Sequence, residues 1–235
     1  MNSTLNLSNV KKQQLYSFLS GFISENKKNK FEEIILQRTR YITVVLEDIF
    51  QPHNASAVLR SCDCFGIQDV HIIENNNKYE INPDVALGSS KWLTLYKYSA
   101  AENNTIRCLQ ELKDSGYRII ATTPHKHDHT PEALPLDQKI ALVFGTELEG
   151  LTPQAIEMAD GFVKIPMYGF TESLNISVSA ALLVRSLTGR LRNSGIPWQL
   201  SETDSLDIRI AWAKSVVKKA DLIEKEFFRK TDRGN

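Results

Sequence analysis

The chain has 235 residues, 42% of them hydrophobic and 24% charged, with 28 basic side chains against 28 acidic ones. This is the make-up of an ordinary globular protein with apolar residues enough for a sizeable core, and no internal repeat or low-complexity segment interrupts it. With no net charge there is no global field to gather a polyanion, and no apolar run reaches bilayer-spanning length, so nucleic acid has to be held by local basic clusters and no membrane partner is expected.

Helical periodicity covers 9–24 and 28–38, with Leu15, Phe18, Leu19 and Phe22 on one stripe and a lysine-rich break at Lys27-Lys28-Asn29-Lys30. This predicts an N-terminal helical arm over 1–39. The pattern changes at 41–46, YITVVL, a β-branched run followed by a polar turn and a helical stretch over 55–65 that Gly66 is placed to end. Further short apolar runs at 70–73, 93–96, 118–122, 140–144 and 162–165 read as strands, and 102–115 and 152–159 read as helices. Strands that are apolar throughout and alternate with helices predict an α/β domain over 40–193, with a parallel sheet covered on both faces. A long helix over 176–192 closes it. After the break SGIP at 194–197, one final basic helix over 205–230 forms a C-terminal extension, 194–235.

Nucleotide-binding motifs are absent. No G-x-G-x-x-G follows the first strand, and Gly145 and Gly150 have P-loop spacing but precede Leu151-Thr152 where a lysine is required. No G-x-S-x-G elbow exists. The cluster HKHDH at 125–129 sits in a polar loop between Pro124 and Pro131 and reads as solvated surface, so no metal is expected. Cys62, Cys64 and Cys108 lack zinc-type spacing and read as reduced thiols; the first residues, MNSTLNLSNVKKQQ, lack a continuous apolar core, and a cytoplasmic home is expected.

Three segments lie where strands give way to loops or helices, the place where open α/β sheets build their sites. In the first, Asn54 is placed to cap a helix and Arg60 falls six residues later. The second, ALVFGTE at 141–147, runs an apolar strand into Gly145, which permits close backbone approach by a ligand, and then into Glu147. The third, IPMYGFTESLN at 165–175, is a proline-fixed loop whose backbone groups are free to face a ligand.

These stretches together resemble the motifs of the SPOUT methyltransferase superfamily, in its TrmH group of tRNA guanosine 2'-O-methyltransferases. HNASAVLRSCDCFG at 53–66, ALGSSKWL at 86–93, VFGTELEGLT at 143–152 and IPMYGFTESLNISVSAALL at 165–183 stand in the group's order and spacing. The stretch WQLSETDSLDIRIAWAKSVVKKADLIEKEF at 198–227 resembles the C-terminal extension of the guanosine-18 enzymes. The resemblance implies a parallel sheet whose C-terminal segment is threaded into a deep trefoil knot, a rare exception to unknotted topology. It implies S-adenosyl-L-methionine as cofactor, bound among Thr122, Gly145, Ile165, Met167 and Leu174, and methyl transfer to a ribose 2'-oxygen of tRNA at guanosine 18. Arg60 is implied as base or base-activating group, Asn54 as positioning Arg60 or the ribose, Glu147 as organising the site, and Ser173 and Asn175 as fixing the cofactor loop and substrate end. Ribosomal RNA or the tRNA wobble nucleotide as target, and an RNA-binding protein without catalysis, stay open as alternatives. A homodimer with sites at the subunit boundary is implied too. The basic residues expected on RNA are Lys27, Lys28, Lys30, Arg38 and Arg40, with Lys214, Lys218, Lys219, Arg229 and Lys230 from the C-terminal helix. Thr146 departs from the group's commoner Asn.

Overall fold

The computed structural model describes residues 7–79, 88–123 and 128–232. The chain folds as two compact units, one of Thr39–Trp198 and one of Met1–Arg38 with Gln199–Asn235. The two helical ends, read separately in the sequence, thus group into a single unit.

The larger unit is an α/β layer structure. Its strands are β1 (Ile42–Glu47), β2 (Asp69–Ile73), β3 (Thr94–Tyr98), β4 (Tyr117–Thr122), β5 (Lys139–Phe144) and β6 (Gly161–Val163). They form one sheet in the order β3-β2-β1-β5-β4-β6, and every pairing is parallel. Strand β1 is central and buried along its whole length because both faces are covered. On one face Val44 and Leu46 pack with Val58 and Leu59 of α3 (Pro52–Phe65) and Leu183, Val184 and Leu187 of the helix Ile176–Arg192. On the other, Val45, Ile119 and Val143 pack with Leu109 and Leu112 of α4 (Asn104–Asp114) and Ala155 of α5 (Pro153–Met158). The helix Ile176–Arg192 is α6.

Some boundaries differ from those read in the sequence. Helix α3 begins at Pro52, where a proline at the first position costs no hydrogen bond, so Asn54 lies inside the first turn and caps nothing. Gly66 ends it in the left-handed region at φ 81°. In the helical unit α1 (Asn9–Ser20) stops at Gly21, and α2 (Glu25–Ile35) runs straight through the lysine stretch taken for a break. Lysine is a good helix former, and Lys28 and Lys30 find Glu25 and Glu33 one turn away at 2.7 and 3.0 Å. Phe22 falls past the end of α1 and is exposed rather than on the buried stripe.

The final basic stretch is two helices, α7 (Glu202–Val216) and α8 (Ala220–Asp232). Between them Val217 is extended and buried while Lys219 takes φ 58°. No proline or glycine marks this turn; burial of Val217 and Phe227 and the 2.6 Å pair Lys214–Glu224 hold α8 folded back. The same unit buries Lys12 against Asp207 at 2.6 Å and packs Phe31 on Trp212 with ring centroids 5.4 Å apart.

One buried polar group in the sheet titrates. His71 on β2 stacks on Tyr96 with ring centroids 4.7 Å apart, and its Nδ1 lies 3.1 Å from the Tyr98 hydroxyl. Burial holds the imidazole neutral, lowering its pKa from 6.5 to about 4, and raises that of Tyr98, so both partners of this contact are uncharged at neutral pH. Between these two pH values of 6.5 and 4 the unfolded chain takes up a proton that the fold refuses, so stability falls as pH is lowered through that window. We expect urea titrations between pH 7 and pH 4 to show a loss on the order of 3 kcal/mol from this group. His71→Gln should show a correspondingly shallower pH dependence.

Candidate active site

A cavity of about 630 Å³ opens beyond the carboxyl ends of β4, β5 and β6. Ligands sit outside the carboxyl ends of parallel strands because the connecting loops there diverge and leave backbone groups unpaired. Thr122, Gly145, Glu147, Ile165, Met167, Ser173, Leu174 and Asn175, all singled out in the sequence, line this one space. Arg60 does not line it. It lies on the exposed side of α3, with no hydrogen bond or ion pair among the described residues, Asn54 included.

The wall formed by 145–151 is held by its own backbone. Thr146 and Gly150 exchange two backbone hydrogen bonds of 2.9 and 3.1 Å, and the Thr146 hydroxyl accepts from Glu149 N at 3.1 Å. A side chain on Gly145 would stand 2.2 Å from the Gly150 carbonyl and 2.4 Å from Leu151 N. The close approach read as room for a ligand is therefore filled first by this chain's own loop. Gly145→Ala should displace Gly150 and lower stability by about 3 kcal/mol, the upper range for overpacking, as measured by denaturant unfolding.

Asn54 joins this wall to the others. It is buried, and its side-chain amide donates to Glu147 Oε1 at 2.6 Å and to Gln51 Oε1 at 3.2 Å. Its carbonyl oxygen accepts from Asn175 Nδ2 at 3.2 Å. Asn175 in turn caps α6, its Oδ1 accepting from Ser177 N at 2.8 Å and Ser177 Oγ at 2.6 Å. Three segments distant in sequence thus meet on one amide whose two donors and carbonyl acceptor are all used.

A further carboxylate went unread in the sequence. Glu47, at the end of β1 and buried, accepts from the Thr105 hydroxyl at 2.5 Å, the Thr152 hydroxyl at 2.7 Å and Thr152 N at 3.0 Å. Thr152 caps α5, so Glu47 anchors the far end of the 145–151 wall. An acid at the carboxyl end of an otherwise apolar strand was the available signal. Its neighbour Asp48 takes φ 51° and receives the backbone N–H groups of Asn75, Asn76 and Asn77 at 2.7, 2.9 and 3.2 Å, fixing the turn after β2. Part of the stretch at 86–93, and residues 125–127 of the histidine cluster, lie outside the described residues. No metal-holding group of His, Cys, Asp and Glu occurs among the described residues, and none of their helices is long and apolar enough to cross a membrane. Cys62, Cys64 and Cys108 form no disulfide.

Residues 41–185, which carry the sheet and every wall of the cavity, match the SpoU rRNA Methylase family. The chain belongs to that family. It is 46% identical over 206 residues to the tRNA (guanosine(18)-2'-O)-methyltransferase of Borreliella burgdorferi, covering 88% of this chain and 93% of that protein. The crystal structure of the TrmH/SpoU tRNA modifying enzyme of A. aeolicus superposes with a TM-score of 0.73 at 29% identity, covering 83% of this chain and 98% of that one. The SpoU methyltransferase AviRb of Streptomyces viridochromogenes, solved in complex with the cofactor AdoMet, shares the fold at a TM-score of 0.56 and 21% identity, over 70% of this chain and 62% of that one.

Within this family member the amide junction makes a specific demand. Asn54→Asp would set a second carboxylate against Glu147 in place of a donor. Hydrogen exchange at Thr146 and Gly150 should then become at least about tenfold faster, the effect of losing roughly 1.5 kcal/mol from a charge-assisted bond.

Proposed function

We propose that this chain is an S-adenosyl-L-methionine-dependent tRNA methyltransferase that methylates the ribose 2'-oxygen of the guanosine at position 18 in the D-loop. The observation that carries the reading is the 46% identity to a guanosine-18 enzyme over nearly the whole of both chains. The cavity fits the cofactor. Its volume, about 630 Å³, lies within the range of about 300–1,000 Å³ of small-molecule sites. Its walls mix apolar side chains, Ile165, Met167 and Leu174, with glycine backbone at 145 and 150, suited to a flat purine held by backbone groups.

Bound there, S-adenosyl-L-methionine would supply an electrophilic methyl on a sulfonium. The chain's part is to hold the cofactor and to bring up a ribose hydroxyl in line while its proton is removed. Thr122, Gly145, Ile165, Met167 and Leu174 form the cofactor pocket in this reading. Asn54, Glu147 and Asn175 keep the walls in register, and Ser173 faces the substrate end. Arg60 activates the hydroxyl. Its role in this reading is to draw in a substrate phosphate that accepts the proton or to stabilise the forming oxyanion. Its place outside the cavity of its own chain supports a site completed at the boundary between two copies.

We read the protein as a homodimer on the same ground. Helix α6 buries Ile176, Ala180, Leu183, Val184, Leu187 and Leu191 against its own sheet and leaves Val178 and Leu182 exposed, a second apolar face for a partner copy. We read the segment 164–175 as threaded into the trefoil knot that the family resemblance implies. A cytoplasmic location follows from the tRNA substrate. Of the basic residues expected on RNA, Lys28, Lys30, Arg40, Lys214 and Lys230 pair with Glu25, Glu33, Asp69, Glu224 and Glu226, and Arg38 is buried over Trp212. Lys218, Lys219 and Arg229 are exposed without an ion pair among the described residues, and we assign phosphate contact to these three.

Incubation with labelled S-adenosyl-L-methionine and unmodified total tRNA should place the methyl on the ribose of guanosine 18, located by mass spectrometry of nuclease fragments. Label confined to ribosomal RNA or to the wobble nucleotide would overturn the substrate assignment. Arg60→Ala should lower the methylation rate by at least about 100-fold. S-adenosylhomocysteine should bind that variant as it does the parent.

A further inference from the structure

The most exposed large apolar side chains among the described residues are Leu148 at 97%, Tyr168 at 97% and Phe170 at 108%. All three belong to the two loops that wall the cavity. Exposed apolar groups scattered singly over a surface carry no message; their gathering at one rim does.

The loop from β6 to α6 lines the cavity at Ile165 and Met167, leaves it over 168–171 and returns at Glu172. Tyr168 and Phe170 stand on the arc that leaves. They are outside the lining of the cavity, and no ring or cation of the described residues stacks on either. Their neighbours Gly169, Thr171 and Glu172 are small or polar, and Thr171 and Glu172 are exposed. Such a setting leaves polar groups unsatisfied in a dry protein interface, but it suits a flat ligand that covers the ring faces and leaves the edges wet. The aliphatic pair Val178 and Leu182 on α6 is the better surface for a second copy.

Resting on the RNA methyltransferase reading above, we propose that Tyr168 and Phe170 form a stacking platform for the nucleobase of the methyl-accepting nucleotide. A ribose 2'-oxygen reaches the cavity only when its nucleotide leaves the folded RNA. The unstacked base then needs a surface, and aromatic rings at the rim supply one at a ring's distance from the sugar. Every base has a π face, so the platform holds the nucleotide without choosing its identity; choice of guanosine falls to hydrogen-bonding groups elsewhere. Leu148, on the other loop that walls the cavity, is a further exposed apolar group.

The test uses the full chain with Tyr168→Leu, Phe170→Leu and Phe170→Trp. Leucine keeps apolar bulk and removes the ring, whereas tryptophan keeps the ring. Each leucine variant should lower kcat/KM for tRNA about tenfold, and Phe170→Trp should retain it. Binding of S-adenosylhomocysteine by calorimetry and the sedimentation coefficient should match the parent in all three. Difference spectra between Phe170→Trp and the parent should show quenching of the new indole when tRNA binds, with or without cofactor. Leucine variants as active as the parent, or an indole unaffected by bound tRNA, would overturn the platform. A loss of activity that tracks a lowered sedimentation coefficient would overturn it too, assigning the rings to a second copy. If the parent methylates no RNA, the activity reading fails by itself, and indole quenching by tRNA still decides the platform.

Discussion

One buried primary amide holds the site together. Asn54 sits in the first turn of α3, which is clamped onto β1 and α6 by the apolar core, and from there it bonds to Glu147 and Asn175. Those residues belong to the loops that wall the cavity. A buried amide with all these groups satisfied stabilises modestly, but leaving any of them unpaired costs the full desolvation of that group. The arrangement therefore selects one register of the two loops against all others. Asparagine is suited to this because it both donates and accepts, where aspartate or a hydrophobic isostere satisfies one side at most.

Around that junction the chain uses rigid elements to place its loops. The parallel sheet, buried on both faces, fixes where β4, β5 and β6 end. Glu47 at the end of β1 ties down Thr152, and Gly145 lets the Thr146–Gly150 turn close on itself. The cavity wall is consequently pinned at its start by sterics and at its end by a carboxylate. Against this order, the arc at 168–171 is the part of the wall left facing outward, with its rings uncovered.

The helical unit obeys different physics. Its charges are largely spent on one another: Lys12 on Asp207, Arg209 on Glu32, Lys214 on Glu224. Pairs that water still reaches add little stability, yet they remove cations from the pool available to a polyanion. Counting basic residues along a helix therefore overstates how many can meet phosphate.

How much was legible in the sequence depended on the range of the interaction. Apolar periodicity revealed the strands, the helices and the parallel α/β class, because alternation and burial are written into neighbouring residues. The motif stretches pointed to Thr122, Gly145, Glu147, Ile165, Met167, Ser173, Leu174 and Asn175, and these do share one cavity. Local pattern failed where a distant contact decided the outcome. Asn54 has the chemistry of a cap but serves as a cross-chain junction; the α7–α8 turn carries no glycine or proline; Glu47 hides in an apolar strand; and the lysine run at 27–30 is helix. The sequence by itself determined which segments are buried and which residue types stand at strand ends, because these follow from local patterns of hydrophobicity and turn chemistry. Only the tertiary structure decided which polar group meets which, and which cations stay unpaired, because the partners lie up to 195 residues apart and burial selects among many equivalent donors and acceptors.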